Sequence, residues 1–207
     1  MSISSNRTTI LIIALLIVSI ATITMISPAE KTLGNFVKSI YLHAAFIWAA
    51  IIMFSVAGLL GLIACFSSND NFYQWSTAIE YTAISIWSIN FLFSLVIQSL
   101  AWGGIAWNEP RTAMSIFILL FSFILIFASL ITKPLKIKGL YNLLMSIIMW
   151  FFLVRTGVAI HPVGAISGSP STAIKAYTLV IALLVLILAI SVAAFVRSNL
   201  ISSQSST

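Results

Sequence analysis

The sequence predicts an all-α fold, a polytopic membrane protein with its transmembrane helices in one bundle over residues 1–207, and three observations carry that prediction. Of 207 residues, 61% are hydrophobic and 7% are charged, so a water-soluble globule would lack the polar surface needed to cover its core. Six stretches reach the roughly 20 mainly apolar residues that cross a hydrocarbon core of about 30 Å. These stretches are apolar on every face, whereas spanning strands alternate in polarity in pieces of about ten residues, and this selects helices over a barrel.

The first span is expected at Thr8 to Ile26. A polar head with Arg7 precedes it, as in a secretory signal, but the apolar run is too long for an h-region and no clear small-x-small cleavage site follows, so it reads as a membrane anchor. Pro28 ends it. The second span, Ile40 to Phe66, carries His43 about one helical turn inside the membrane face; Gly58 and Gly61 farther along suit close helix contact. The single cysteine, Cys65, excludes an internal disulfide. The third span runs from Tyr81 to Leu100, with Glu80 at its start read as structural and Asn90 and Gln98 as interhelical hydrogen-bond donors. The fourth, Thr112 to Thr132, is broken from the fifth by Pro134. The fifth, Leu140 to Ile160, holds Arg155 near its end, with His161 after it and Pro162 stopping the helix. Pro162 to Pro170 reads as a loop, Ala176 to Val196 as the sixth span, and Ser202 to Thr207 as a polar tail.

Six spans place the N-terminus, the loops after spans two and four and the C-terminus on one face, here face A; the other three loops share face B. Face A holds Arg7, Lys133, Lys136, Lys138 and Arg197, and face B holds Lys31, Lys38, Arg111, Arg155 and Lys175. The count is level, so the compact cluster Lys133 to Lys138 decides: face A is expected to be cytoplasmic, with both termini on that side of the cell membrane. Cations kept on face B against this bias suit an anionic ligand. The alternative is ordinary snorkelling at helix ends.

Both histidines of the chain, His43 and His161, fall on face B. Imidazole is the commonest biological metal ligand, and an ionisable group at the rim of an apolar span is a functional candidate, although a lone interfacial histidine is more often structural. Two histidines offered by separate helices suit a bis-histidine haem, whereas a closed zinc site needs ligands this chain does not supply nearby. Between them lies the turn Trp102-Gly-Gly-Ile-Ala-Trp107-Asn-Glu-Pro-Arg111. Trp102 and Trp107 could lie against a porphyrin face, and Gly103 and Gly104 permit close backbone approach; aromatic belts at membrane interfaces are the competing explanation. Arg111 is suited to a propionate in bidentate geometry. Glu109 either pairs with Arg111 or caps the fourth helix. Arg155 needs a partner, for which a propionate or Glu109 would serve. With no Cys-x-x-Cys-His motif, any haem is held without thioether bonds.

These segments resemble the haem-handling membrane proteins of cytochrome c assembly that carry the tryptophan-rich WWD signature, and among them the small six-span CcmC type. The resemblance rests on Ile40-Tyr-Leu-His43 followed by aromatics, on Trp102-Gly103 through Glu109-Pro110-Arg111, and on His161 before a Gly/Ser loop and the last span. It covers nearly the whole chain. It implies His43 and His161 as axial ligands of haem b bound non-covalently and transiently, with Trp102, Trp107, Glu109 and Arg111 forming the platform. It implies haem transport: delivery from the outer face to a haem chaperone, with ATP-binding-cassette subunits of the maturation system as further partners. The sequence departs from that pattern as a divergent member would. The usual Trp-Trp-x-Trp-Asp core is Ile105-Ala106-Trp107-Asn108-Glu109, and Ala45 stands where a proline often follows the first histidine.

Two other readings compete. One is a b-type haem electron-transfer subunit, which needs histidines at matched depth on facing helices; the other is a cofactor-free transport or scaffold subunit. No Walker A motif, catalytic triad or di-acid pair is evident, so no enzymatic activity of its own and no nucleic-acid partner is expected, only the lipid bilayer and the assembly partners.

Overall fold

The computed structural model describes residues 3–157, 166 and 168–204. Six helices follow one another: α1 (Ile3–Ile26), α2 (Val37–Phe66), α3 (Asp70–Trp102), α4 (Pro110–Ile131), α5 (Leu135–Arg155) and α6 (Thr172–Gln204). All six are long and apolar enough to cross a membrane, and no strand occurs among the described residues. The chain is an all-α, multi-pass membrane protein.

Several helices extend past their apolar cores, because hydropathy locates the hydrocarbon layer and not the helix ends. Helix α3 starts at Asp70 instead of Tyr81: the Asn69 side chain accepts the Asn71 N–H at 3.0 Å, a side-chain N-cap that nucleates a polar first turn. Glu80 is therefore inside the helix and 4% exposed, not at its start, and its Oε2 has no hydrogen-bond partner among the described residues. Helix α5 starts at Leu135 and stops at Arg155, short of the expected Ile160. Thr156 is extended at φ −84°, ψ 118°, and Thr156-Gly157 is a pair of weak helix formers. His161 and Pro162 lie outside the described residues.

Helix α2 organises the bundle by burying two stripes. Tyr41, Ala45 and Ala49, spaced by one turn, pack with Ile20 of α1 and with Ile174, Ile181 and Val185 of α6. Ala50, Met53, Phe54 and Ala57 join Ala83 and Trp87 of α3, Ile118 of α4, Met145 and Met149 of α5 and Ala189 and Ala193 of α6. Helix α1 is peripheral, with Leu11, Leu15 and Val18 exposed toward the lipid side. Without a hydrophobic drive between helices in lipid, close contact and interhelical hydrogen bonds must hold them. Both are present where α2, α3 and α5 meet. A Cβ added to Gly139 would stand 2.7 Å from the Gly61 carbonyl oxygen, so the two backbones touch. Beside them Asn142 Nδ2 donates to Ser76 Oγ at 2.7 Å, which donates to the Ala57 carbonyl at 2.8 Å.

Polar ties at both ends fix the up-down order. On face A, Arg197 donates to Asn71 Oδ1 at 2.8 Å and lies 4.7 Å over the Trp75 ring, joining α6 to α3. On face B, Lys38 Nζ donates to the Met25 carbonyl at 2.6 Å and Tyr41 Oη to that of Pro28 at 3.2 Å, joining α2 to the end of α1. The α1–α2 connection closes through paired backbone bonds between Glu30 and Gly34, the latter at φ +55°, where glycine is favoured.

The Glu30 carboxylate accepts the Leu33 N–H at 2.9 Å and the Thr32 N–H at 2.8 Å. These two bonds, Leu33 first, hold its pKa below the ordinary value of 4.5. A depressed folded-state pKa means the turn gains support above the ordinary carboxylate range and loses it as pH falls through the depressed value. Amide exchange at Thr32 and Leu33, corrected for intrinsic rates, is expected to accelerate below that range while the helix amides stay protected. Unchanged protection there would contradict the carboxylate's role.

Candidate functional site

His43 lies on α2, which starts at Val37, so the imidazole sits nearly two turns inside the helix, about 9 Å along its axis at 1.5 Å per residue. Its Nδ1 is 2.9 Å from Asn90 Oδ1 of α3. An amide oxygen only accepts, so Nδ1 carries the hydrogen and the lone pair of the neutral ring is on Nε2. This is the arrangement in which an outer partner orients a metal-binding imidazole: one ring nitrogen donates to a fixed acceptor and the other is directed to the metal. Asn90 is 5% exposed, which fixes the acceptor in turn. Its role is to accept and not to donate, the reverse of the sequence expectation.

The tryptophan turn is shaped by Gln98, one of the residues sequence reasoning treated as general glue. Helix α3 ends at Trp102, where Gly103 takes the left-handed C-cap at φ +75°. The Gln98 side chain accepts the Ala106 N–H at 3.1 Å and donates to Thr112 Oγ1 at 3.1 Å. One buried amide thus anchors both the middle of the turn and the first turn of α4. Backbone bonds from Trp107 N to Ile105 O (3.1 Å) and from Glu109 N to Ala106 O (3.1 Å) complete the fold-back, and Pro110 at the start of α4 supplies a helix-ready φ. Trp102 and Trp107 are 39% and 59% exposed, so the turn displays aromatic faces instead of burying them.

The cations and Glu109 divide. Arg111, on the first turn of α4, is exposed. Glu109 is 1% exposed; it occupies the N-cap position through its carbonyl, which accepts the Thr112 and Ala113 N–H groups at 2.9 and 3.2 Å, but its side chain makes no cap hydrogen bond. Arg155 is the last residue of α5 and exposed, its guanidinium 5.8 Å from the Phe151 ring centroid. It is therefore not an unpaired cation within the apolar span: a snorkelling head over an aromatic face meets its needs.

His43 and the tryptophan turn share one end of the bundle at different depths. Asn90 and Gln98, which anchor them, are separated by about 12 Å along α3. The second histidine, His161, lies outside the described residues. Compared with protein-family models and with curated proteins, the chain matches neither.

Gln98→Leu is expected to destabilise the folded protein by about 1–3 kcal/mol, because Thr112, itself 3% exposed, and the Ala106 N–H lose a buried partner. Limited proteolysis should then cut within residues 103–109 faster than in the parent at unchanged helix content. Equal cutting rates would show that the turn holds its shape without this amide.

Proposed function

We propose that this chain is a haem-binding membrane protein of cytochrome c maturation, a divergent relative of the WWD proteins, which holds haem b at the outer face and hands it to a haem chaperone. The observation that carries the reading is His43 Nδ1 held at 2.9 Å by the buried Asn90 amide oxygen, which sets the tautomer whose lone pair, the electron pair a metal would take, is on Nε2. The porphyrin supplies iron's equatorial ligands itself, so one or two imidazoles complete the coordination.

The remaining residues fit haem as cargo. Exposed Trp102 and Trp107 offer aromatic surface at the same end of the bundle, and exposed Arg111 suits a propionate. His161 is the second axial ligand on sequence grounds. Glu109 serves as a buried support of the turn. A weakly enclosed platform at the membrane rim suits transient holding, since the next protein must reach the ring edge. With face A cytoplasmic, the site faces outward, where a membrane-anchored chaperone and the ATP-binding-cassette subunits would meet it.

Titrating the purified protein with haemin tests this directly. A saturable low-spin Soret spectrum at a stoichiometry near one per chain is the expected result. A preparation that stays colourless, with binding no better than empty detergent micelles, would favour the cofactor-free scaffold reading. Rapid, reversible reduction of bound haem by quinol, with cytochrome c maturation unaffected, would favour an electron-transfer subunit.

A further inference from the structure

At the opposite end of the bundle, on face A, the α2–α3 and α4–α5 connections line an open pocket of about 370 Å³, at the low end of ligand-sized pockets. Its lining includes Ser68, Asp70 and Tyr73 from the α2–α3 side of the chain and Pro134, Leu135 and Lys136 from the α4–α5 side. Asp70 and Lys136, both exposed, thus line one space from two different connections. They form no ion pair within 4.0 Å of one another among the described residues. Two opposite charges that line one small pocket without pairing complement a ligand that is itself a short zwitterion, with an anionic group for Lys136 and a cationic group for Asp70. Lys133 and Lys138 flank Lys136 and bias the anionic end of the ligand to that wall.

The surroundings indicate where such a ligand comes from. Phe66, next to the Ser67 turn, is 84% exposed, and Ile131, at the end of α4, is 86% exposed. Large apolar side chains exposed at the ends of membrane-spanning helices, within a few residues of a pocket lined by Asp70 and Lys136, place that pocket near the boundary between hydrocarbon and headgroup. A soluble zwitterion would gain nothing from them, whereas a lipid would place its chains there. We propose that this cavity binds the headgroup of phosphatidylethanolamine, its phosphate at Lys136 and its primary ammonium at Asp70. Phosphatidylcholine carries a quaternary ammonium that cannot donate a hydrogen bond to Asp70, and phosphatidylglycerol, with its phosphate at Lys136, would bring neutral hydroxyls and no positive charge to that carboxylate.

The test equilibrates the full-length protein with vesicles of phosphatidylcholine containing equal parts of phosphatidylethanolamine and phosphatidylglycerol, then re-extracts it and identifies retained lipid by native mass spectrometry. Phosphatidylethanolamine is expected to be retained about tenfold over either competitor, the ratio that one well-placed polar contact produces. Asp70→Asn and Lys136→Gln should each erase the preference, and the charge exchange Asp70→Lys with Lys136→Asp should restore it, which separates binding from misfolding. Arg7→Gln, on α1 and outside the pocket lining, should leave it in place. Preference for phosphatidylglycerol, or selectivity that survives Asp70→Asn, would overturn the proposal. Displacement of the lipid by an equal concentration of free phosphoethanolamine would reassign the cavity to a soluble ligand and overturn it too.

Discussion

Replacing His43 by alanine is expected to lower haem affinity by more than about 100-fold, above the roughly 10–100-fold that loss of an outer partner costs, and to convert a low-spin spectrum to a high-spin one. The argument is one of coordination. If the imidazole supplies one of two axial ligands, its loss leaves the iron five-coordinate, with the rest of the binding free energy coming from ring burial and propionate pairing. Asn90→Leu gives the graded counterpart. It leaves His43 in place but removes the acceptor 2.9 Å from Nδ1, so the tautomer and ring orientation are no longer fixed, and affinity should fall by about 10–100-fold with a spectrum that remains low-spin. The ordering of the two variants matters more than either value. If His43→Ala retained an unaltered spectrum, His43 would be a packing residue and the ligand assignment would fall. If Asn90→Leu did as much damage as His43→Ala, Asn90 would be acting on the fold and not on the ligand. His161→Ala should reproduce the high-spin spectrum, and its indifference would leave His43 with a different partner.

Composition and apolar run length were enough to place six helices, because both report the same constraint, that a backbone in hydrocarbon must satisfy its own hydrogen bonds. They misplaced helix ends for a related reason. The eleven-residue polar start of α3, from Asp70 to Glu80, is helical because Asn69 caps it, not because it is apolar. The premature end of α5 is likewise local, in Thr156 and Gly157. The site was legible only as residue types. His43 and the Trp102 to Arg111 turn stand out by chemistry, but Asn90 and Gln98 are ordinary amides until the packing of α2, α3 and α4 shows what each one holds. Glu109 and Arg155 differ in burial in a way their residue types do not announce. The charge next to the proline is buried and the one drawn inside a span is exposed, because burial depends on where each helix ends, the quantity sequence reads least well. Gly61 was visible as a contact residue, whereas its partner Gly139 lies in a segment read as the lysine-rich connection before span five.

That glycine pair carries the largest expected effect on folding. Gly139→Leu should abolish recovery of folded protein, and Gly139→Ala should lower stability by about 1–3 kcal/mol in a detergent unfolding titration. Two effects compete in the alanine variant. Taking glycine out of a helix interior is favourable by up to about 1 kcal/mol. Against this, the new methyl would stand 2.7 Å from the Gly61 carbonyl oxygen. That neighbour is backbone, so it cannot rotate away as a side chain would, and relief requires α2 and α5 to separate. Separation would also stretch the Asn142 to Ser76 hydrogen bond, 2.7 Å long and buried beside the contact, so the steric cost brings a polar cost with it. The reciprocal contact, from a Cβ on Gly61 to the Gly139 carbonyl, means Gly61→Ala should behave alike, and the double variant should cost less than the sum of the two because one separation relieves both. Gly104→Ala is the control: nothing lies within 4 Å of its Cβ position, and stability should change by less than about 0.5 kcal/mol. If Gly139→Ala matched that control, α2 and α5 would not be in backbone contact in the membrane.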